Sequence, residues 1–144
     1  MAYPEFFVAP MRAELVSLGI EELRTAADVD KKVSESSGTL MLVVNSVCGC
    51  AAGKARPGLA LALRHGVRPD HMASVFAGFD NDATSRARGY FTGMMPSSPS
   101  IALLRDGKLL YMLERRQIET SSAEQIATEL RRAFDLHCAP VTVQ

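Results

Sequence analysis

With 144 residues, 47% of them hydrophobic and 22% charged, the chain fits one ordinary domain that buries roughly two thirds of its unfolded surface, so folding requires neither a metal nor a disulfide staple. Sixteen basic residues balance sixteen acidic ones, which removes the electrostatic case for nucleic acid or an anionic membrane surface as a partner. No stretch approaches the roughly 20 apolar residues that span a bilayer, and the apolar run at residues 6–11 follows Glu5, is interrupted by Pro10 and lacks the basic start of a secretion signal.

From the amino terminus, the spacing predicts two short helices. The first is launched by Pro10, carries Met11, Leu15 and Leu18 on one stripe and closes at Gly19. The second starts near Thr25, whose hydroxyl can cap it with Asp28 three residues on; it buries Val29 and Val33 and ends by Gly38. Residues 40–44 then form an unbroken apolar run, the pattern of a central strand covered on both faces. Beyond it, Ala51, Ala55, Leu59 and Leu63 recur at helical spacing, and Pro57 is predicted to kink that helix because it lacks a backbone donor.

A second strand is expected around residues 73–77. A helix follows from about Asp82 to Phe91, entered through Asp80 and Asn81 and broken by Gly93. Residues 101–104 and 109–113 read as strands joined by Asp106 and Gly107, a pair that tolerates positive φ at both turn positions and so favours a tight hairpin. The last helix opens at Ser121 or Ser122, where Ser122 and Gln125 match a capping box, and its buried stripe is Ile126, Leu130 and Phe134. The order strand, helix, strand, helix, strand, strand, helix predicts an α/β, thioredoxin-like fold: a mixed four-stranded sheet flanked by helices, with an added N-terminal helical segment. The whole chain is expected to be one domain, with residues 1–38 as the helical extension, 39–138 as the thioredoxin-like core and 139–144 as a tail.

Three cysteines is an odd number, and a chain without a recognisable signal is expected in the reducing cytoplasm, where a permanent disulfide framework is not. Cys48 and Cys50 fall where the first strand's carboxyl end meets the next helix, the place where reactive groups collect in open α/β sheets. A thiolate rather than a thiol attacks disulfides, and the free amides at a helix start lower a cysteine's pKa from about 8.5. Cys48 is placed to benefit, and Lys54 and Arg56 are candidate accessory cations, although residues of that kind early in a helix are commonly solvated surface. Two extended residue steps span up to about 7 Å, whereas a disulfide prefers about 5.5–6 Å between Cα atoms, so Gly49 is expected to supply the bend and a Cys48–Cys50 bond to be easily reduced. A competing reading joins Cys48, Cys50, His137 and Cys138 into a metal site, but the usual spacing of two or more residues between ligands is missing. No cofactor is expected.

Pro99 precedes the third strand. In thioredoxin-like folds a cis-proline at this place faces the reactive cysteine and leaves the preceding backbone free to pair with substrate, which would make Ser98 and Pro99 the substrate-binding positions.

The run Asn45-Ser46-Val47-Cys48-Gly49-Cys50-Ala51-Ala52-Gly53, followed by Ala55-Arg56-Pro57, resembles the signature of the bacilliredoxins, bacterial thioredoxin-like proteins with a Cys-X-Cys centre. The resemblance continues through Val75-Phe76-Ala77-Gly78, Tyr90-Phe91-Thr92-Gly93, Pro96-Ser97-Ser98-Pro99-Ser100 and Ala133-Phe134 to His137-Cys138, which is nearly the whole chain. It implies debacillithiolation, the removal of the low-molecular-weight thiol bacillithiol from mixed disulfides on oxidised client proteins. Cys48 would attack and take the bacillithiol, Cys50 would resolve the adduct, and a reductase or small thiol would recycle the disulfide. The family pattern also includes Cys138, as an inert residue or as a redox partner. Unlike ordinary thioredoxins, the chain has one residue between its cysteines and no tryptophan. A general protein disulfide isomerase or reductase is the alternative that keeps the chemistry, and a metal-binding module is the one that changes it.

Overall fold

Thr39–Asn45 is the strand, β2, around which the chain is built, and all seven of its residues are buried. The computed structural model describes residues 4–139. Strand β3 (His71–Phe76) lies parallel to β2 on one side and β4 (Ser100–Arg105) antiparallel on the other, and β5 (Lys108–Leu113) pairs antiparallel with β4. Asp106 and Gly107 both take positive φ, the tight hairpin turn their residue types favour.

Because side chains alternate across a strand, β2 feeds two cores. Met41 and Val43 pack with Leu15 of α1 (Glu5–Val16), Leu59 of α3 (Arg56–Ala62) and Ile126, Leu130 and Phe134 of α6 (Ala123–His137). Leu40, Leu42 and Val44 pack on the other face with Val29 and Val33 of α2 (Ala26–Glu35) and Ala83 and Ala87 of α4 (Asn81–Gly89). The α3–α6 contact is close: a Cβ on Gly58 would come within 2.6 Å of Ile126 Cγ2 and 3.2 Å of the Ala123 carbonyl. Among the described residues no helix is long and apolar enough to cross a membrane.

The sheet has five strands rather than the expected four, in the order β1-β3-β2-β4-β5. The additional strand, β1, is Glu21–Glu22, parallel to β3 in the register Glu21 to Ala73 and Glu22 to Ser74. Two glutamates show no alternation, so nothing in the residue pattern marks a strand there. Pairing and charge hold it: the Leu23 amide donates to the Ser74 carbonyl at 2.8 Å, and Glu22 pairs with the buried guanidinium of Arg12, which also meets Asp80 at 2.7 Å and lies 5.0 Å from the Phe76 ring centre. Residues 1–38 thus contribute an edge strand as well as helices.

The first helix starts at Glu5, not at Pro10, and carries that proline inside it. The donor that Pro10 lacks would have reached Phe6, a residue 80% exposed whose carbonyl water can serve, while Val8, Arg12 and Leu15 supply the buried stripe. The predicted kink at Pro57 takes a definite form, a π-helical turn over Ala51–Ala55 in which the Arg56 amide reaches five residues back to the Ala51 carbonyl. Pro57 then sits in the first turn of α3, where a missing donor costs little. A short helix, α5 (Arg115–Glu119), was not expected; Ile118 is its one buried residue, too few for a periodic signal. Beyond Ala139 the expected tail lies outside the described residues, as do residues 1–3.

Candidate active site

The site is assembled from the carboxyl end of β2. Asn45 is buried there, and its side-chain oxygen accepts from the Ser46 amide at 2.9 Å and from Arg56 Nη1 at 2.9 Å, while its Nδ2 donates to the Met11 carbonyl at 3.3 Å. The same Arg56 nitrogen donates to the Ser46 carbonyl at 2.9 Å, and Arg56 Nε pairs with Glu14. Arg56, only 4% exposed, is therefore a clamp from the helix onto the strand end, and its charge is spent on Glu14 and two amide oxygens.

From that anchored turn Ser46 organises the first cysteine. Its Oγ accepts the Cys48 amide proton at 3.1 Å, which leaves the hydroxyl proton to donate to the Cys48 sulfur. The Cys48 carbonyl then accepts from the Ala51 amide at 3.0 Å and the Ala52 amide at 3.2 Å, closing the first helical turn. Burial pushes the Cys48 thiol pKa up, but hydrogen bonds from the Ser46 hydroxyl and the Ala51 and Cys50 amides, together with the Arg115 guanidinium, outweigh it and hold the group below its ordinary value. All three cysteines are free thiols, and each is half-buried. Cys50, two residues after Cys48, packs against the core that α3 and α6 share.

Gly49 has helical backbone outside the positive-φ region, and an added Cβ would meet nothing within 4 Å. The bend between Cys48 and Cys50 is therefore that of the helix start, without a left-handed glycine.

The Ser98–Pro99 peptide bond is cis. Val44 pairs with Ser100 across β2 and β4, so this loop stands at the same end of the sheet as Cys48. Arg88 Nη2 donates to the Ser97 carbonyl at 3.3 Å, Arg115 Nη1 to the Ser98 carbonyl at 3.3 Å, and the Arg115 amide to Ser97 Oγ at 3.5 Å.

The accessory cations are redistributed. Lys54 Nζ turns to the Glu119 carbonyl and Arg56 is buried as described, whereas Arg115, on the unexpected helix α5, supplies positive charge to the sulfur. No sequence signal marks Arg115, because only tertiary folding brings it to Cys48. Cys138 is carried to the opposite end: its thiol bonds Thr39, the first residue of β2, and the adjacent His137 carbonyl accepts from Arg105 Nη2 at 3.0 Å. The seven-residue strand puts roughly 20 Å between its ends, so Cys48, Cys50, His137 and Cys138 do not converge as metal ligands. Among the described residues no group of three or more His, Cys, Asp or Glu side chains could hold a metal ion. Burial raises the Cys138 pKa, with Asp70 adding to it, against a smaller opposing effect of the Thr39 hydrogen bond.

The profile of the disulphide isomerase family matches residues 3–138. A bacilliredoxin of Koribacter versatilis is 57% identical over 136 residues, covering 94% of both chains. One from Geobacillus kaustophilus is 50% identical over 134 residues, covering 93% of this chain and 92% of the relative. Among solved structures, a thioredoxin of Malassezia sympodialis superposes with a TM-score of 0.57 at 11% identity, covering 83% of this chain and 91% of the other; at that identity the likeness shows the thioredoxin-like fold and nothing further.

Proposed function

Since the chain belongs to the bacilliredoxin family, we propose that it is a cytoplasmic thiol-disulfide oxidoreductase that removes bacillithiol from client proteins through Cys48 and Cys50. The Cys48 thiolate attacks the bacillithiol sulfur of a client mixed disulfide; that S–S bond breaks, a Cys48–bacillithiol disulfide forms, and the client thiolate leaves and takes up a proton. Cys50 then loses its proton and attacks the Cys48 sulfur, forming the Cys48–Cys50 disulfide and releasing bacillithiol as a thiol. The two electrons come from the cysteine pair, and a reductase or small thiol returns them.

The observation that carries this reading is the environment of Cys48: a sulfur with three hydrogen-bond donors and a cation around it, at a helix start and at the same end of the sheet as a cis-proline loop, with a second thiol two residues on. Ser98 and Pro99 are proposed to receive the client's backbone. Cys138 takes no direct part, being held at the far end of β2.

The match of residues 3–138 to the disulphide isomerase family favours a second reading, general disulfide isomerisation. Supplying the reduced wild-type protein with a bacillithiolated client and, separately, with a client carrying scrambled disulfides distinguishes the two. Debacillithiolation predicts that the first client loses the mass of one bacillithiol and regains a free thiol while the second is little changed. The opposite pattern would establish the isomerase instead.

A further inference from the structure

Arg115 places its charge near the Cys48 sulfur, yet its side chain is 46% exposed and its contacts are long. Nη1 reaches the neutral Ser98 carbonyl at 3.3 Å, and Nε lies 3.5 Å from Glu119 Oε2, a carboxylate that is itself 46% exposed. A guanidinium has five N–H donors arranged to bind a carboxylate in pairs, and these contacts engage Nη1 and Nε. Of the nearby cations, Arg56 is committed to Glu14, Asn45 and Ser46 and Lys54 to the Glu119 carbonyl; Arg115 differs from Arg88 and Arg116 in reaching the Ser98 carbonyl, next to the cis-proline. Arg115 thus touches the loop where the incoming disulfide is to lie and acts on the sulfur that attacks it.

We propose that Arg115 is a specificity-determining residue of the Cys48 site, whose guanidinium receives a carboxylate of the low-molecular-weight thiol in the incoming mixed disulfide, so that anionic adducts react in preference to neutral or cationic ones. The inference rests on the oxidoreductase reading above and adds the chemical class of the adduct. On binding, the carboxylate replaces the Ser98 carbonyl and the half-exposed Glu119 as partner, exchanging two long single contacts for shorter, paired ones.

The test uses the full chain and two alkylating probes of similar size, anionic iodoacetate and neutral iodoacetamide, with the modification of Cys48 followed by mass. The ratio of the two rates cancels any change in the fraction of thiolate. In an Arg115→Gln variant at low ionic strength, the iodoacetate-to-iodoacetamide ratio falls by about threefold to tenfold, an Arg115→Lys variant keeps part of it, and added salt shrinks the difference. Glu119→Gln, which removes the competing carboxylate, raises the ratio. An unchanged ratio in Arg115→Gln, or an equal fall in both rates, overturns the proposal. If the wild type alkylates with this anion preference but fails to release bacillithiol from a client, the oxidoreductase reading fails and the anion site stands; release that is intact beside a ratio indifferent to Arg115 has the reverse meaning.

Discussion

A Cys48→Ser variant turns over a bacillithiolated client at least about 10³-fold more slowly than the wild type, with the loss in the chemical step rather than in folding. The donors around this position stabilise a thiolate: the Ser46 hydroxyl, the Ala51 and Cys50 amides and the Arg115 charge shift a thiol's equilibrium, but they cannot ionise an aliphatic hydroxyl near neutral pH. Nor is Cys50 free to substitute, since it sits in the first helical turn against the core rather than at the open end. Bacillithiol release followed by mass, with thermal unfolding as the control, reads this directly. A half-buried residue exchanged for one of nearly the same shape shifts stability by about 0.5 kcal/mol or less, so a large fall in melting temperature would contradict the catalytic explanation.

A Cys50→Ala variant behaves in the opposite way: it attacks normally and then stops. One equivalent of client thiol is released, the protein gains the mass of a single bacillithiol on Cys48, and later turnovers proceed only as fast as an external thiol removes the adduct. The stall follows from geometry. With Cys50 gone, the remaining thiol, Cys138, is bonded to Thr39 at the far end of β2, roughly 20 Å away, and its pKa is raised by burial. Peptide mapping of the adduct checks the assignment. A bacillithiol found on Cys138, or multiple turnovers at the wild-type rate, would refute the division of labour between the two cysteines.

What could be read from the residues was what local chemistry decides. Thr25 with Asp28 and Ser122 with Gln125 form the capping boxes their spacing suggests, since each involves groups three residues apart. The apolar run of β2 placed the central strand and, with it, the reactive junction at its carboxyl end. The features that escaped are tertiary. Strand β1 exists because Leu23 finds the Ser74 carbonyl and Glu22 finds Arg12, and neither partner is local. Helix α5 is too short to be periodic, so the sequence offers as candidate cations only Lys54 and Arg56, the basic residues that follow the cysteines, and not Arg115. Arg56 shows how proximity misleads: it is buried as a clamp on Asn45 and Ser46, and it serves the site by fixing the turn from which Cys48 projects. His137 and Cys138 look compatible with the cysteine pair as ligands, but α6, 15 residues and about 22 Å long, ends beside Thr39, at the opposite end of β2 from Cys48.

The most direct test of the account is the rate at which iodoacetamide modifies Cys48 as a function of pH, measured on the full chain with Cys50 and Cys138 replaced by alanine and repeated with Ser46→Ala added. Only the ionised sulfur reacts, so the rate is low in acid, climbs as the proton is lost and levels off once ionisation is complete. The arrangement around Cys48 predicts a midpoint below the ordinary cysteine value of about 8.5, moved upward when the Ser46 hydroxyl is removed. A midpoint at or above that value, one indifferent to Ser46, or a sulfur that resists the reagent in the folded protein would contradict it.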